Sequence, residues 1–229
     1  MVHNSGGGAV MRRSMLTANS SLGDVVTKAI AYSNGNTINY PASTAAGDLV
    51  LLFSGSYNTA PMVPAGFTGI RSITGTGNWT EYGQASYRIA TAGQGGALVS
   101  LSGVDPNYCG SVMIVITGHN PTTPINSSNA NGTAGAGTTI STNSVTTTAP
   151  SRRYLFWSAM ASNGSMPVMT IATTGAEIQS DVGGSTGTYH RVQGWRHATM
   201  EGAGTHSAHV MNTNTVCGMV GMVVAVASG

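Results

Sequence analysis

Five consecutive apolar residues, Leu49–Phe53, constrain the fold of this chain most strongly. They follow a turn-forming segment, Ala45–Asp48, and an apolar run of that length bounded by turn residues is typical of a strand in the core of a β-sandwich. About a hundred residues later, Thr148–Ser158 presents the same order, a turn sequence and then the apolar residues Tyr154–Trp157. The two stretches predict equivalent strands in two passes through one pattern.

A longer block of matches indicates an internal repeat. Ser86–Thr91 aligns with Gly194–Thr199 at an offset of 108 residues, and the same offset aligns the two cysteines. We therefore predict pseudo-repeats over residues 44–117 and 148–227, forming two similar sheets that each bury one face and close on each other. Chance similarity between strands built from few residue types is the alternative.

The pattern along the chain is that of an all-β protein. No helical apolar period persists for three turns, whereas short strand-like runs recur throughout. This favours a jelly-roll-like antiparallel β-sandwich that occupies residues 24–229 as a single domain. Residues 1–23, rich in Gly, Ser and Asn, are expected to form an extended, flexible N-terminal arm, with a disordered start as the alternative. Residues 118–137 show no period and predict a long loop that is functional or links two half-domains.

The composition favours a protein that functions within an assembly of many subunits. Charged residues make up only 7% of the chain, against about 25% in an average soluble domain. A surface of hydroxyls, amides and glycines repels its neighbours weakly and tolerates close packing. A net charge of +2 with a single lysine, Lys28, argues against direct nucleic-acid binding. The pairs Arg12–Arg13 and Arg152–Arg153 are expected to be solvated or to lie at an interface.

The sequence predicts neither a membrane segment nor a secretory signal. The longest apolar stretch, Val216–Ala227, contains two glycines and is too short to cross a bilayer. The first residues lack the apolar core of a signal peptide. We expect a soluble protein that does not contact a membrane.

The polar residues do not form a recognisable catalytic pattern. His206 and His209 are three residues apart, which places them on opposite faces of a strand and makes them a poor metal pair. Asp48 and Asp105 are expected to be turn residues. The carboxylates considered for a glycosidase-type pair are Glu81, Glu177, Asp181 and Glu201. With so few carboxylates in the chain, any two of them could lie close together by chance. We therefore predict that the chain is not an enzyme and uses no metal or cofactor.

The two cysteines, Cys109 and Cys217, occupy equivalent places in the two predicted repeats. Their simplest interpretation is a pair of small buried residues at related strand starts, because a disulfide framework normally carries more cysteines. A disulfide between them is the alternative.

Four short motifs, taken in order, resemble those of a loose group of bacteriophage virion β-sandwich proteins. They are AGDLVLL at Ala46–Leu52, PAGFT at Pro64–Thr68, YRIA at Tyr87–Ala90 and the closing apolar strand Val223–Val226. The resemblance runs from about residue 25 to the end of the chain. The sequence departs from the group with Phe67 where Trp is usual and with the long segment 118–137. The resemblance implies a structural role as a decoration protein, head fibre or tail-fibre segment, and carries over no catalytic residue.

We therefore expect a phage capsid decoration (cement) or head-fibre protein, located in the virion. Its expected partners are the major capsid protein or other virion proteins and copies of itself, with a trimer favoured. The capsid is expected to be contacted through the N-terminal arm, by Met11, Arg12, Arg13, Met15 and Leu16.

The alternative hypothesis is a tail-fibre segment or a module that binds a glycan or host receptor. Three aromatic residues near predicted turns are the candidate glycan contacts, Tyr57, Trp79 and Tyr108. A shell jelly roll of a small virus is a more distant option, because the arm has too few cations to package a genome directly.

Overall fold

The structure is a computed structural model that describes residues 23–76, 80–133, 137–161, 169–171, 177–186 and 189–229. These ranges contain sixteen strands and no helix. The paired strands are antiparallel, which confirms the all-β, antiparallel class predicted from the sequence. The predicted arm, residues 1–23, lies outside the described residues except for its last one.

The first part of the chain forms one large sheet, sheet 1, and one small sheet. Sheet 1 has the strand order β1-β7-β3-β5-β4, and β2 pairs with β6 in a separate two-stranded sheet. The strands are β1 (Val26–Ser33), β2 (Thr37–Asn39), β3 (Leu49–Tyr57), β4 (Thr68–Thr74), β5 (Glu81–Ile89), β6 (Leu98–Ser100) and β7 (Cys109–Thr117).

The second part forms another large sheet, sheet 2, and a second small sheet. Sheet 2 has the strand order β8-β16-β11-β14-β13, and β9 and β12 also pair with the first part of β16. The strands β10 and β15 form the separate small sheet. The strands are β8 (Ile125–Gly132), β9 (Gly137–Ser141), β10 (Val145–Thr147), β11 (Ser151–Ala161), β12 (Met169–Ile171), β13 (Glu177–Thr186), β14 (Tyr189–Glu201), β15 (Gly204–His206) and β16 (Val210–Ala227). β11 thus lies between β16 and β14, as β3 lies between β7 and β5.

Both faces of sheet 1 are covered, which explains the continuous apolar run in β3. Leu49, Leu51 and Phe53 pack into a core shared with sheet 2. Val50 and Leu52 point the other way and pack against the small β2–β6 sheet. A strand buried on both faces has no solvent side for polar residues, so apolar residues occupy every position.

Sheet 2 is covered in the same manner. Tyr154 and Phe156 of β11 face sheet 1, while Leu155 and Trp157 face a third core that includes Val145 of the small β10–β15 sheet. The molecule therefore stacks four β layers, small sheet, sheet 1, sheet 2 and small sheet, with an apolar core between each pair of neighbours.

Two side-chain hydrogen bonds also join the large sheets. The hydroxyls of Thr27 and Tyr154 lie 3.1 Å apart. The Ser158 hydroxyl donates to the carboxylate of Glu81, and both residues are fully buried. Burial raises the pKa of Tyr154 to about 12, and its hydrogen bond to Thr27 opposes part of that rise. These bonds satisfy polar groups that would otherwise make the contact between the sheets costly.

Asp48 acts as a turn residue before β3, as predicted. Its carboxylate accepts the backbone N–H of Ala45 at 2.8 Å and pairs with Lys28 Nζ at 2.7 Å. Gly47 between them has a positive φ of 87°, a conformation that favours glycine. Asp105 is a turn residue as well, since it accepts the N–H of Asn107.

The prediction of one long loop over residues 118–137 is wrong. Its centre, Ile125–Gly132, is the strand β8, which pairs with Val220–Val226 of β16. The segment INSSNANG has no apolar alternation because it is half-buried along its whole length at the edge of sheet 2. Its strand conformation comes from backbone pairing with β16, which amino-acid patterning does not report.

Cys109 and Cys217 are both buried thiols that are not joined in a disulfide. Cys109 begins β7, whereas Cys217 lies within the long strand β16. Burial raises the pKa of the Cys217 thiol to about 11, although a hydrogen bond to Thr213 opposes the rise. The interpretation as small buried residues is therefore correct, and the disulfide alternative is not.

Candidate binding site

A pocket of about 270 Å³ opens beside the small β2–β6 sheet, on the side of sheet 1 that faces away from sheet 2. We call it the Arg88 pocket. It lies between the segment that precedes β4 and the strand β6. Its polar lining comes from Tyr40, Arg88, Gln94 and Ser100, and its apolar lining includes Pro64, Ala65, Ala97 and Leu98.

Local backbone bonds fix the walls of the pocket. Tyr40, directly after β2, donates its N–H to Ala97 at 2.9 Å and accepts one from Gly96 at 3.0 Å. On the opposite wall, Phe67 N–H donates to the carbonyl of Pro64, which closes a turn through Gly66 at a φ of 78°. The positive φ favours glycine at this position, and a side chain there would place its Cβ 3.1 Å from Arg88 Nη1, so the guanidinium would have to shift.

Strand alternation directs Arg88 into the pocket. Tyr87, its neighbour on β5, packs against the core between the large sheets, so Arg88 points to the other face. Arg88 Nη1 donates to the hydroxyl of Tyr40 at 3.2 Å. The guanidinium carbon lies 5.6 Å from the centre of the Phe67 ring, within the range of a cation–π contact. The Tyr40 and Phe67 rings stack at 6.3 Å, so the three side chains form one unit.

Arg88 has no acidic partner among the described residues. Arg88 takes no part in the ion pair of Lys28 with Asp48 or in the cluster of Glu201 with Arg153 and His206. Arg88 Nε is buried and makes no hydrogen bond. Burial raises the pKa of Tyr40, and the hydrogen bond and charge of Arg88 act against that rise. The pocket therefore holds a half-buried positive charge without a counter-ion, which is the chemistry of an anion-binding site.

A second arginine, Arg153, has the opposite environment. Its guanidinium binds Glu201 through two hydrogen bonds of 2.5 and 2.7 Å and donates a third to the Ser207 carbonyl. His206 joins the cluster, with Nδ1 3.6 Å from Glu201 and Nε2 2.9 Å from the Thr147 hydroxyl. The expectation that Arg153 is solvated or lies at an interface is wrong, since it is 5% exposed. This cluster ties the β10–β15 sheet to sheet 2, and its charges are neutralised within the chain.

Two of the candidate glycan residues, Tyr57 and Tyr108, are only partly accessible. Tyr57 is 8% exposed, and its ring meets that of Tyr108 edge-on at 6.0 Å. Burial argues against Tyr57 as a glycan contact, because the residue ends β3 inside sheet 1 and its N–H donates to the Tyr108 carbonyl. Tyr108 is half-buried, and its contact with a glycan stays a prediction. Trp79 lies outside the described residues.

The residues predicted to attach the arm to a capsid also lie outside the described residues. They are Met11, Arg12, Arg13, Met15 and Leu16. Their role stays a prediction. Within the described part of the chain, no group of three or more His, Cys, Asp or Glu residues is arranged to hold a metal ion.

The sequence interpretation missed the Arg88 pocket. The available signal was the scarcity of charge. Arg88 lies in the strand Glu81–Ile89, where Glu81, seven residues away, is the only other charged residue, and a half-buried arginine needs a partner or a ligand. Tyr40, Gln94 and Ser100 carried no such signal, because only the folded chain brings them to Arg88.

Comparisons with protein-family models, curated proteins and solved structures found no match to this chain. The described residues include no helix with the length and apolar character needed to span a membrane.

Proposed function

We propose that this chain is a structural protein of a phage particle that binds the capsid surface as a decoration or head-fibre protein. The observation that supports this most is the combination of four tightly stacked β layers with a chain that is only 7% charged. Such a body is rigid, and its surface repels neighbouring copies weakly. The order of the four phage-like motifs supports the same role.

We infer that the chain is a tandem of two jelly-roll-like units. The supporting observation is the equal strand order, in which β1-β7-β3-β5-β4 with β2–β6 corresponds to β8-β16-β11-β14-β13 with β10–β15. The ends of the two units also converge. Gly118 lies against Asp24 and accepts a hydrogen bond from Gly229 N–H at 2.9 Å.

The convergence of these ends makes a test possible. A circular permutant that joins residue 229 to residue 23 and opens the chain at 121–122, between the units, should keep its strand content and melt cooperatively. Opening the chain inside β11 is the matched control and should prevent folding. A permutant opened at 121–122 that fails to fold would contradict a tandem of two units.

The proposed attachment acts through the N-terminal arm, residues 1–23, and the proposed oligomer is a trimer in the virion. Purified phage shells that lack this chain are mixed with the full chain or with residues 24–229 and sedimented. The full chain should sediment to saturation and the shortened chain should stay in solution, while native mass measurement gives three copies. Equal sedimentation of the two, or none by the full chain, would overturn the attachment.

A second candidate function is a tail-fibre or receptor-binding module. The specific observation that favours it is the Arg88 pocket, where a guanidinium without a counter-ion lines an open cavity. A particle reconstruction that places this chain at the tail tip would favour this candidate over decoration of the capsid.

A further inference from the structure

We propose that the Arg88 pocket binds the carboxylate of an acidic sugar residue, with glucuronate as the simplest example. The inference rests on the second candidate function for the nature of the ligand. It does not depend on where in a particle the chain resides.

The charge of the pocket selects an anion. Arg88 makes one hydrogen bond, to Tyr40, and no other donor of its guanidinium has a partner among the described residues. The hydrogen bond to Tyr40 and the contact with the Phe67 ring hold the Arg88 side chain in place, so little rotamer freedom is lost when a ligand binds. A planar guanidinium matches the two oxygens of a carboxylate better than a lysine ammonium would.

The size of the pocket selects a single small unit. A volume of about 270 Å³ lies just below the range of roughly 300–1,000 Å³ that suits drug-sized ligands. One monosaccharide, free or at the end of a longer glycan, is therefore a better occupant than an oligomer.

The uncharged polar groups of the pocket favour a ligand that carries hydroxyl groups. Gln94 uses its Oε1 to accept the Thr91 N–H at 2.9 Å, which turns its amide N–H₂ to other partners. Ser100 adds an exposed hydroxyl from β6. An aspartate side chain would reach Arg88 but would carry no hydroxyl for Gln94 or Ser100. A uronic acid offers both kinds of group, which is why we assign a sugar and not a peptide carboxylate.

The apolar wall suits the C–H face of a pyranose. Leu98 lines the pocket and is 61% exposed. Pro64 and Ala65 add apolar lining, and the two residues that precede them in the chain, Met62 and Val63, are exposed apolar side chains. Sugar sites commonly combine such apolar surface with a few directed polar groups, as small-molecule sites do in general.

The test is a titration of the full chain, labelled with ¹⁵N, with glucuronate, glucose and N-acetyl-aspartate, read from amide chemical shifts. Glucuronate should produce saturable shifts at Gln94, Leu98 and Ser100, with millimolar affinity that weakens as salt is added. Glucose should produce none at the same concentrations. Arg88→Gln should weaken glucuronate binding at least about tenfold, and Arg71→Gln, an exposed arginine on the neighbouring strand β4, should leave it unchanged.

If Arg88→Gln fails to fold, Ser100→Trp replaces it, since this exposed side chain can fill the pocket without entering the core. Loss of glucuronate binding in either variant supports the proposal. Equal binding of glucose, shifts that persist in the variants, or no saturable shift would overturn it. Binding of N-acetyl-aspartate in place of glucuronate would assign the pocket to a protein carboxylate and overturn the sugar. The particle experiments above test the proposed structural function separately, so the two can fail independently.

Discussion

Phe53 and Phe156 stack in the contact between the two large sheets, with ring centroids 5.3 Å apart and planes within 1° of parallel. Both residues are fully buried. Replacing either by alanine should lower the free energy of unfolding by about 3–5 kcal/mol, from lost transfer energy and the cavity left behind. The loss in the double variant should be about 0.5–1.5 kcal/mol smaller than the sum of the losses in the two single variants. This difference is the coupling energy expected for an aromatic pair.

The assay is urea unfolding, followed by far-UV circular dichroism and by the fluorescence of Trp157. This residue is fully buried in β11 and reports on sheet 2. Trp79 and Trp195 are replaced by phenylalanine in all variants, so that Trp157 is the single reporter. The loss of unfolding free energy in the double alanine variant can exceed the total stability of a domain, about 5–15 kcal/mol. The same cycle is therefore also run with leucine in place of alanine.

The matched control is Phe67, which is half-buried on the other side of sheet 1. Phe67→Ala should cost less than either core substitution and should be additive with Phe156→Ala. The reasoning is refuted if Phe53→Ala lowers the stability of the chain without moving the Trp157 transition, because the sheets would then not share a core. A coupling between Phe53 and Phe156 no larger than that between Phe67 and Phe156 would refute it as well.

Three further predictions concern the ionisable groups. The pKa of Tyr154, about 12 in the folded chain, exceeds its ordinary value of 10, so the folded state holds the proton more tightly and stability should fall as pH rises from about 10 to 12. Tyr154→Phe should flatten that fall in alkaline urea titrations, and an unchanged fall would contradict the assignment. In a Cys109→Ser chain, Cys217, whose pKa burial raises to about 11, should react with a thiol reagent at pH 8 only as fast as the protein unfolds; rapid labelling of folded protein would contradict its burial. Arg153→Met should cost about 1.5–3 kcal/mol in urea unfolding, because it leaves the 22% exposed side chain of Glu201 without its charged partner; a change below about 0.5 kcal/mol would show that this ion pair adds nothing.

Much of the strand layout could be predicted because burial leaves a direct mark on the sequence. The apolar run Leu49–Phe53 lies in β3, and Cys109–Thr117 coincides with β7. The turn at Asp48 was predictable because its side chain bonds to the backbone three residues away. Such features depend on neighbours in the chain, which the sequence displays directly.

The pairing of β8 with β16 was not predictable, because Ile125–Gly132 is polar and half-buried and gains its strand conformation from a partner 88 to 101 residues away. The candidate site has the same origin. Tyr40, Arg88 and Ser100 come from three separate strands or their ends, and only the packing of the β2–β6 sheet on sheet 1 brings them together.

The sequence by itself determined that this chain forms β-strands, where the most buried of them lie and that few charges are available for chemistry. Only the tertiary structure decided what each charge does. Arg153 and Arg88 both lie on strands of the large sheets, yet Arg153 forms an ion pair with Glu201 whereas Arg88 lines an open pocket. The physical reason is that strand propensity and burial are read from local patterns, whereas the pairing of a charge depends on distances that long-range packing alone fixes.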